Sequence, residues 1–534
     1  MKLNSNSKKL AAAKSSGKAK SVEGDRAHKA GNTLKNSEQE GEREVDIQKI
    51  IEETRMLKEE IKHKSAIVSK EHETLVENAL KLPNLSHPGS PIGKEEAAQV
   101  VYETAAARSS CGGEIDGAKL SNSDLCSSLN IADFKSAAKV SGSRFMYWLG
   151  KGVILEQALV QYTMKRAIEF GFSPVSTPEL VKSSIIEKCG FRPRPSTSSC
   201  DTNGGSVDGE NGPEPSQIYV IESGNSENDI DAGSSSEDPL CLIGTSEIPL
   251  TAMYSDEVLG CYDVSKAQNM ATDAGNIYDS NDVSELKSET GASSFDTMVA
   301  SEIPDSRWFG KGQEYFEMFK DHLKANFMLD SSTSLGAKRN STLATSSSGK
   351  PQVLPVAMVG ISKCFRSEAG SRGKDTKGLY RLHNFQKLEL VVISDTATSH
   401  NALDFIVSFE KVLFEELGLA IRILNMPTAE LGASSYCKFD IEAKFPARTS
   451  GYGEISSASN CTDYQTRRLN IKYKPPHNQI HNNSKLEFAH SLNGTACAIS
   501  RVVAAILENN QSHDGSYVNI PKVLWPYTMG LTRI

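Results

Sequence analysis

Lys363-Cys364-Phe365-Arg366-Ser367-Glu368-Ala369-Gly370-Ser371-Arg372-Gly373, followed after five residues by Leu379-Tyr380-Arg381-Leu382-His383-Asn384-Phe385-Gln386-Lys387-Leu388-Glu389, decides the fold. The pattern predicts a hairpin: one strand ending near Arg366, a Gly-rich polar loop, and a second strand from Tyr380 to Ile393. Period-two alternation then sets Arg381, His383, Phe385, Lys387 and Glu389 on one face. Two cations, an aromatic ring and a carboxylate make poor packing material. They suit a nucleotide, with a guanidinium for phosphate, a ring for the base and a carboxylate for a second substrate. Alone, the same residues fit a salt-bridged exposed strand equally well.

Outward from the hairpin the chain reads as an α+β body, an antiparallel sheet flanked by helices. Short strands are expected at 172–175, 353–359, 388–393, 420–424 and 437–443, with helices near 152–170, 398–417 and 491–510. In the last of these, Asn493-Gly494-Thr495-Ala496-Cys497-Ala498-Ile499-Ser500-Arg501 sets small residues along one side of a helix. Small residues allow close approach to a sheet, and Arg501 would meet whatever lies there; a solvated helix charge is the plainer alternative. Two Ser/Gly/Asn-rich stretches, 194–238 and 261–350, read as low-complexity insertions. The first holds a strand candidate at 217–222 and the second an amphipathic helix candidate with Phe316, Phe319, Leu323 and Phe327 on one side.

Residues 1–44 read as a disordered basic and polar tail, with nine Lys or Arg against two acids in the first 35. A coiled-coil seam follows at Ile47, Ile50, Leu57, Ile61, Val68, Leu75 and Leu82, giving a partial helical arm and connector over 45–102. A linker is expected over 103–130, ahead of a domain spanning 131–534. The net charge of −8 excludes a surface that grips nucleic acid throughout, but allows a local basic patch. The ten cysteines form no C-x-x-C pair, so neither a zinc site nor a disulfide framework is indicated. No apolar run reaches the roughly 18 residues of a membrane span, and membranes and DNA are not expected partners. Walker A and G-x-G-x-x-G sequences are absent, so any nucleotide would be held mainly by side chains on a sheet.

The hairpin is similar to motif 2 of class II aminoacyl-tRNA synthetases. The Arg501 segment looks like motif 3, and Gly171-Phe172-Ser173-Pro174-Val175-Ser176-Thr177-Pro178 like motif 1, whose proline ends a segment of a homodimer interface. Leu242-Ile243-Gly244-Thr245-Ser246-Glu247-Ile248-Pro249-Leu250, the 137–145 run and Glu454-Ile455-Ser456-Ser457 resemble the seryl-tRNA synthetase family specifically. That resemblance implies ATP-dependent activation of L-serine and transfer to serine tRNA. It implies Thr245 and Glu247 at the serine ammonium, and Glu389 and Thr495 at its hydroxyl, with Arg366 also among the serine-binding residues and Asn493 orienting substrate. Thr245 and Glu247 read locally as no more than a helix N-cap with a first-turn acid.

For ATP, the resemblance implies Arg366 at the α-phosphate, Glu368 at the adenine end, Arg381 and Arg501 at the terminal phosphates, and Phe385 stacked on adenine. Arg366 and Arg501 would be the catalytic pair. Glu454 and Ser457 would hold Mg2+, an oxygen-only site suited to a hard cation. A non-catalytic paralogue acting as a binding or regulatory protein is the alternative, although such proteins lose ATP-site residues and Arg366, Glu368, Phe385, Glu454, Ser457 and Arg501 are all here. The motif wording is closer to bacterial and organellar members, and the insertions suggest a eukaryotic source. Together they imply the mitochondrial matrix, with the cytoplasm as the alternative. The family's arm has two antiparallel helices; here one is legible, so the arm reads as incomplete and a start upstream of residue 1 would account for it.

Overall fold

The computed structural model describes residues 33–108, 119–191, 218–221, 238–261, 353–368, 378–449, 451–475 and 485–534. Most of both insertions, the 316–327 helix candidate and the polar loop 369–377 lie outside these. The chain forms two compact units, 1–82 and 83–534. Among the described residues of the first, one helix, α1 (Thr33–Leu80), begins twelve residues before the expected boundary at 45. Its opening residues, TLKNSEQEGERE, lack an apolar stripe but contain no helix breaker except Gly41, so propensity alone extends the helix upstream. Along the expected seam Ile61, Val68 and Leu75 are 50, 66 and 66% exposed.

The second unit starts earlier than expected. The connector after Pro83 belongs to it: the Asn84 amide donates to the Ser434 and Cys461 carbonyls at 2.9 and 2.8 Å, and Asn425 donates to the Gly89 carbonyl at 3.0 Å. Residues 99–103 form strand β1 (Gln99–Glu103). The expected linker 103–130 also contains a helix, Asn122–Ser128, capped by Ser121 and burying Leu125 and Cys126.

The body continues with α2 (Lys151–Glu169), β2 (Ser173–Ser176), a short helix α3 (Glu247–Ala252), β3 (Val356–Phe365), β4 (Asn384–Ser394), α4 (Ser399–Glu416), β5 (Ile421–Asn425), β6 (Cys437–Lys444), β7 (Tyr452–Asn460), β8 (His490–Ala498) and α5 (Ile499–Asn510). Eight strands make one sheet in the order β1-β5-β6-β7-β8-β4-β3-β2. Neighbours run antiparallel except β2 on β3. One face packs on α2, α4 and α5, where Phe172 and Phe405 stack at 5.1 Å and Phe170 meets Phe409 edge-on. Truncating such a buried ring costs about 3–5 kcal/mol. On the other face Val356, Met358, Val391 and Ile393 pack into a second core with Ile248, Leu250 and Tyr254, and the rest of that face carries the site.

Two expected elements are corrected. The second hairpin strand begins at Asn384, not Tyr380. Leu379 and Leu382 are both buried, which forces residues 378–382 into a tight turn and leaves Arg381 and His383 off the strand. The expected helix 491–510 is a strand, β8, that becomes helix α5 only at Ile499. The small residues do permit close packing, but on the strand: a Cβ on Gly494 would fall 2.3 Å from the Ile406 side chain of α4.

Where the second insertion leaves and rejoins the body, Gly260 and Cys261 pair in parallel with Val353 and Leu354. In the first, Val220 bridges to Cys241.

Candidate active site

Strand alternation aims Phe385, Lys387 and Glu389 from β4 off the free face of the sheet. Glu389 sits directly across from Thr495 of β8, whose hydroxyl donates to it at 3.4 Å. Asn493, two residues earlier, shares that face. Glu454 and Ser457 are three apart and would point to opposite faces of a regular strand. A bulge between β6 and β7, where Ile441 and Glu442 pair with Ser456 and Glu454, reconciles them. Thr245 and Glu247 come from the start of α3, and Arg501 from the first turn of α5.

All twelve expected site residues line one cavity of about 1020 Å³. Ser246 stands at the N-cap position of α3 without a side-chain cap, and the Thr245 hydroxyl accepts the Glu247 N–H at 3.4 Å, so the local cap reading holds in part. Thr245 also accepts a shorter hydrogen bond from the Lys387 ammonium, at 2.8 Å. That ammonium also pairs with Glu389. Glu247 accepts from Asn493 at 2.9 Å and from Gln465 at 2.5 Å, and Gln465 is itself fixed by Ser491 at 2.7 Å. Burial, with the charge of Glu389, pushes the Glu247 carboxyl up to about 7 against the Gln465 hydrogen bond and Lys387. Burial raises Glu389 too, opposed mainly by Lys387. This end of the cavity is therefore compact, nearly dry and rich in hydrogen-bonding groups.

The other end is more open and cationic. The Arg366 guanidinium lies 5.4 Å from the Phe385 ring and its Nε donates to the Gly244 carbonyl at 3.3 Å. Arg381 pairs with Glu368 at 2.6 Å. Glu368 has φ +49°, a left-handed conformation that is costly for a non-glycine residue and recurs at functional sites. Arg501 donates to the Glu454 and Tyr380 carbonyls at 3.0 and 3.3 Å and lies over the Tyr380 ring. Burial raises the Glu454 carboxyl, but the charges of Arg501, Lys438 and Arg366 outweigh it and leave it below the ordinary value.

Several lining residues escaped the sequence reading. Lys387 falls on the expected face but carries no expected role, and Gln465, buried behind Glu247 and not lining the cavity, carries no sequence signal. Arg422 pairs with Glu442 and Lys438 with Asp440, at 2.7 and 2.8 Å. Charges alternating at 438, 440 and 442 inside an otherwise apolar strand were the clue to these.

A serine–tRNA ligase of Treponema denticola is 30% identical over 490 residues, covering 91% of this chain and 84% of the relative. The chain belongs to the serine–tRNA ligase family. Residues 336–510 match the tRNA synthetase class II core domain (G, H, P, S and T). The mitochondrial serine–tRNA ligase of Saccharomyces cerevisiae is 31% identical, over 89% of this chain and 77% of that one. A seryl-tRNA synthetase structure from Pyrococcus horikoshii, complexed with ATP, superposes with a TM-score of 0.60 at 26% identity, covering 100% of this chain and 90% of that chain. The family's class II sheet flanked by helices is the fold observed, and its relatives include both bacterial and mitochondrial ligases.

Proposed function

We propose that this chain condenses L-serine with ATP to seryl-adenylate and then esterifies the 3′ end of serine tRNA. The observation that carries this reading is the single cavity with a dry carboxylate-lined end joined to an open cationic end. At the dry end, Glu247 and Thr245 receive the serine ammonium, and Glu389 with Thr495 receive its hydroxyl. A pocket built to bond a hydroxyl rejects an analogue lacking it far more strongly than an apolar pocket rejects a missing methylene, which is worth roughly 10–200-fold. At the other end Phe385 offers a ring face to adenine, Glu368 its exocyclic edge, and Arg381 and Arg501 the terminal phosphates.

A serine carboxylate oxygen attacks the α-phosphorus, the bond to the β-phosphate breaks, and pyrophosphate leaves. Arg366 stabilises charge gathering on the α-phosphate oxygens. A terminal ribose hydroxyl of tRNA then attacks the seryl carbonyl, AMP departs, and the hydroxyl proton passes to solvent. No side chain needs to form a covalent bond.

Among the described residues no cluster of three or more His, Cys, Asp or Glu side chains could hold a metal by itself. The ionised Glu454 and the Ser457 hydroxyl nonetheless fit Mg2+, which binds by one or two protein oxygens with phosphates and waters completing its shell. Bound there, the ion would neutralise phosphate charge.

Similarity to the yeast mitochondrial ligase supports action in the mitochondrial matrix, and the segment ending at Pro178 supports a homodimer. Serine-dependent ATP–pyrophosphate exchange and charging of serine tRNA, measured on one preparation, test the reading. Absence of exchange with intact folding would leave a binding protein in its place.

A further inference from the structure

Behind the floor of the serine pocket, on the helix-packed face of the sheet, Glu410 of α4 is completely buried. Its carboxyl lies against the backbone of β8, where a Cβ on Gly494 would come within 2.6 Å of Oε1. Neither carboxyl oxygen makes a hydrogen bond of regular geometry among the described residues, and the neighbouring polar side chain that acts on it is the Ser456 hydroxyl. A buried carboxylate without a cation is among the most expensive groups a protein can hold, and it escapes by keeping its proton. Burial accordingly holds this acid well above the usual carboxylate range. Glu389 and Asp440 push the same way, and only the Ser456 hydroxyl and Lys387 oppose.

Ser456 of β7 links this acid to the site. Its hydroxyl proton goes to the Thr495 carbonyl at 2.6 Å. That leaves its lone pairs for a donor, and a neutral carboxyl is a donor. An ionised Glu410 would do the reverse: it would claim the Ser456 proton in a charge-assisted bond and release the Thr495 carbonyl. Thr495 is the residue whose side chain meets Glu389. We propose that Glu410 is a positioning residue for substrate-hydroxyl recognition, donating to Ser456 Oγ so that Ser456 fixes the Thr495 backbone and holds the Thr495 hydroxyl on Glu389. The inference rests on the assignment of Glu389 and Thr495 to the serine hydroxyl.

The test is pyrophosphate exchange on the full chain, with KM for serine and for ATP measured in Glu410→Ala, Ser456→Ala, the double variant and Glu410→Gln. Each alanine variant should raise the serine KM about tenfold, the worth of one ordinary hydrogen bond, and leave the ATP KM unchanged. The double variant should be no worse than either single one, because both remove the same relay. Glu410→Gln keeps a neutral donor and should restore the serine KM to within about threefold of the parent. Additive effects, equal rises in both KM values, or no rescue by Gln overturn the proposal. If Glu410→Ala fails to fold, Ser456→Ala decides alone, since a normal serine KM there breaks the relay. Thr495→Ala separates the two levels: if it leaves the serine KM unchanged, the hydroxyl assignment itself is wrong. If it raises that KM while Glu410→Ala does not, only the relay fails.

Discussion

Replacing Lys387 by Met removes the cation that holds Glu389 and Thr245 together and leaves a side chain of similar length. The Lys387 ammonium donates to Thr245 at 2.8 Å and pairs with Glu389, both within a nearly dry pocket. A hydrogen bond to a charged group is worth about 1.5–3 kcal/mol. At about 1.4 kcal/mol per tenfold, the serine KM in exchange should rise roughly 10- to 150-fold. The ATP KM should change little, because neither partner belongs to the cationic end.

The same substitution makes stability depend on pH in a definite direction. Glu389 is already raised above its ordinary 4.5 with Lys387 beside it, and rises further without it. A carboxyl raised by folding holds a proton that the unfolded chain gives up, so stability falls as pH climbs from 4.5 toward the folded value. The variant should approach parental stability near pH 5 and lose up to about 1.4 kcal/mol per pH unit above that. The ceiling is the cost of a buried charge stripped of its partner, about 3–5 kcal/mol. Urea midpoints at several pH values, with KM values from exchange, measure both effects. A pH-independent loss of stability, or a serine KM within threefold of the parent, would refute the reasoning.

Arg366→Ala should cut the exchange rate by about 10²–10³-fold with an unchanged unfolding midpoint, and retention of a tenth of the activity would remove Arg366 from the α-phosphate. Because Glu247 is raised to about 7 and must be ionised to meet an ammonium, kcat/KM for serine should climb through pH 7 and level off above it; a flat profile from pH 6 to 8 would mean that the carboxylate is not the ammonium ligand. Exchanging residues 262–352 for a short Gly/Ser linker should preserve exchange, since Cys261 and Leu354 already pair and halving a loop changes closure by only about 0.6 kcal/mol. An inactive or insoluble product would show that the insertion packs on the body.

Much of this site was legible because its residues sit at the strand period. Phe385 and Glu389 need only regular alternation to share a face, whereas Asn493 and Thr495 share one only because their stretch is a strand and not the expected helix. Glu454 and Ser457 are not at that period, and only a bulge, which no local pattern announces, brings them together. The strand at 490–498 was read as helix because Gly, Ala and Thr carry no apolar period to distinguish 2.0 from 3.6. Gln465 and Glu410 were invisible for another reason: each acts through a residue distant in sequence, on Glu247 or under Ser456, and a single polar residue in an amphipathic helix has no signature. The arm boundary moved from 45 to Thr33 because the helix continues beyond its apolar stripe.

Strand β1 closes one end of the large sheet, pairing along β5 from Gln99 opposite Asn425 to Glu103 opposite Arg422. It comes from the stretch that looks in sequence like a connector, well before the first residue of the expected catalytic domain. A fragment trimmed to begin at Ile131 would keep every lining residue from Phe191 onward, yet strip β5 of its neighbour. The row of amides and carbonyls left bare on a short apolar strand is a template for pairing with another molecule. Such a fragment would also lose Glu95, Glu96, Ala98 and Val100 from the cavity wall and Leu125 and Cys126 from the core, so the useful boundary for isolating the enzyme body falls at Pro83, not at 131.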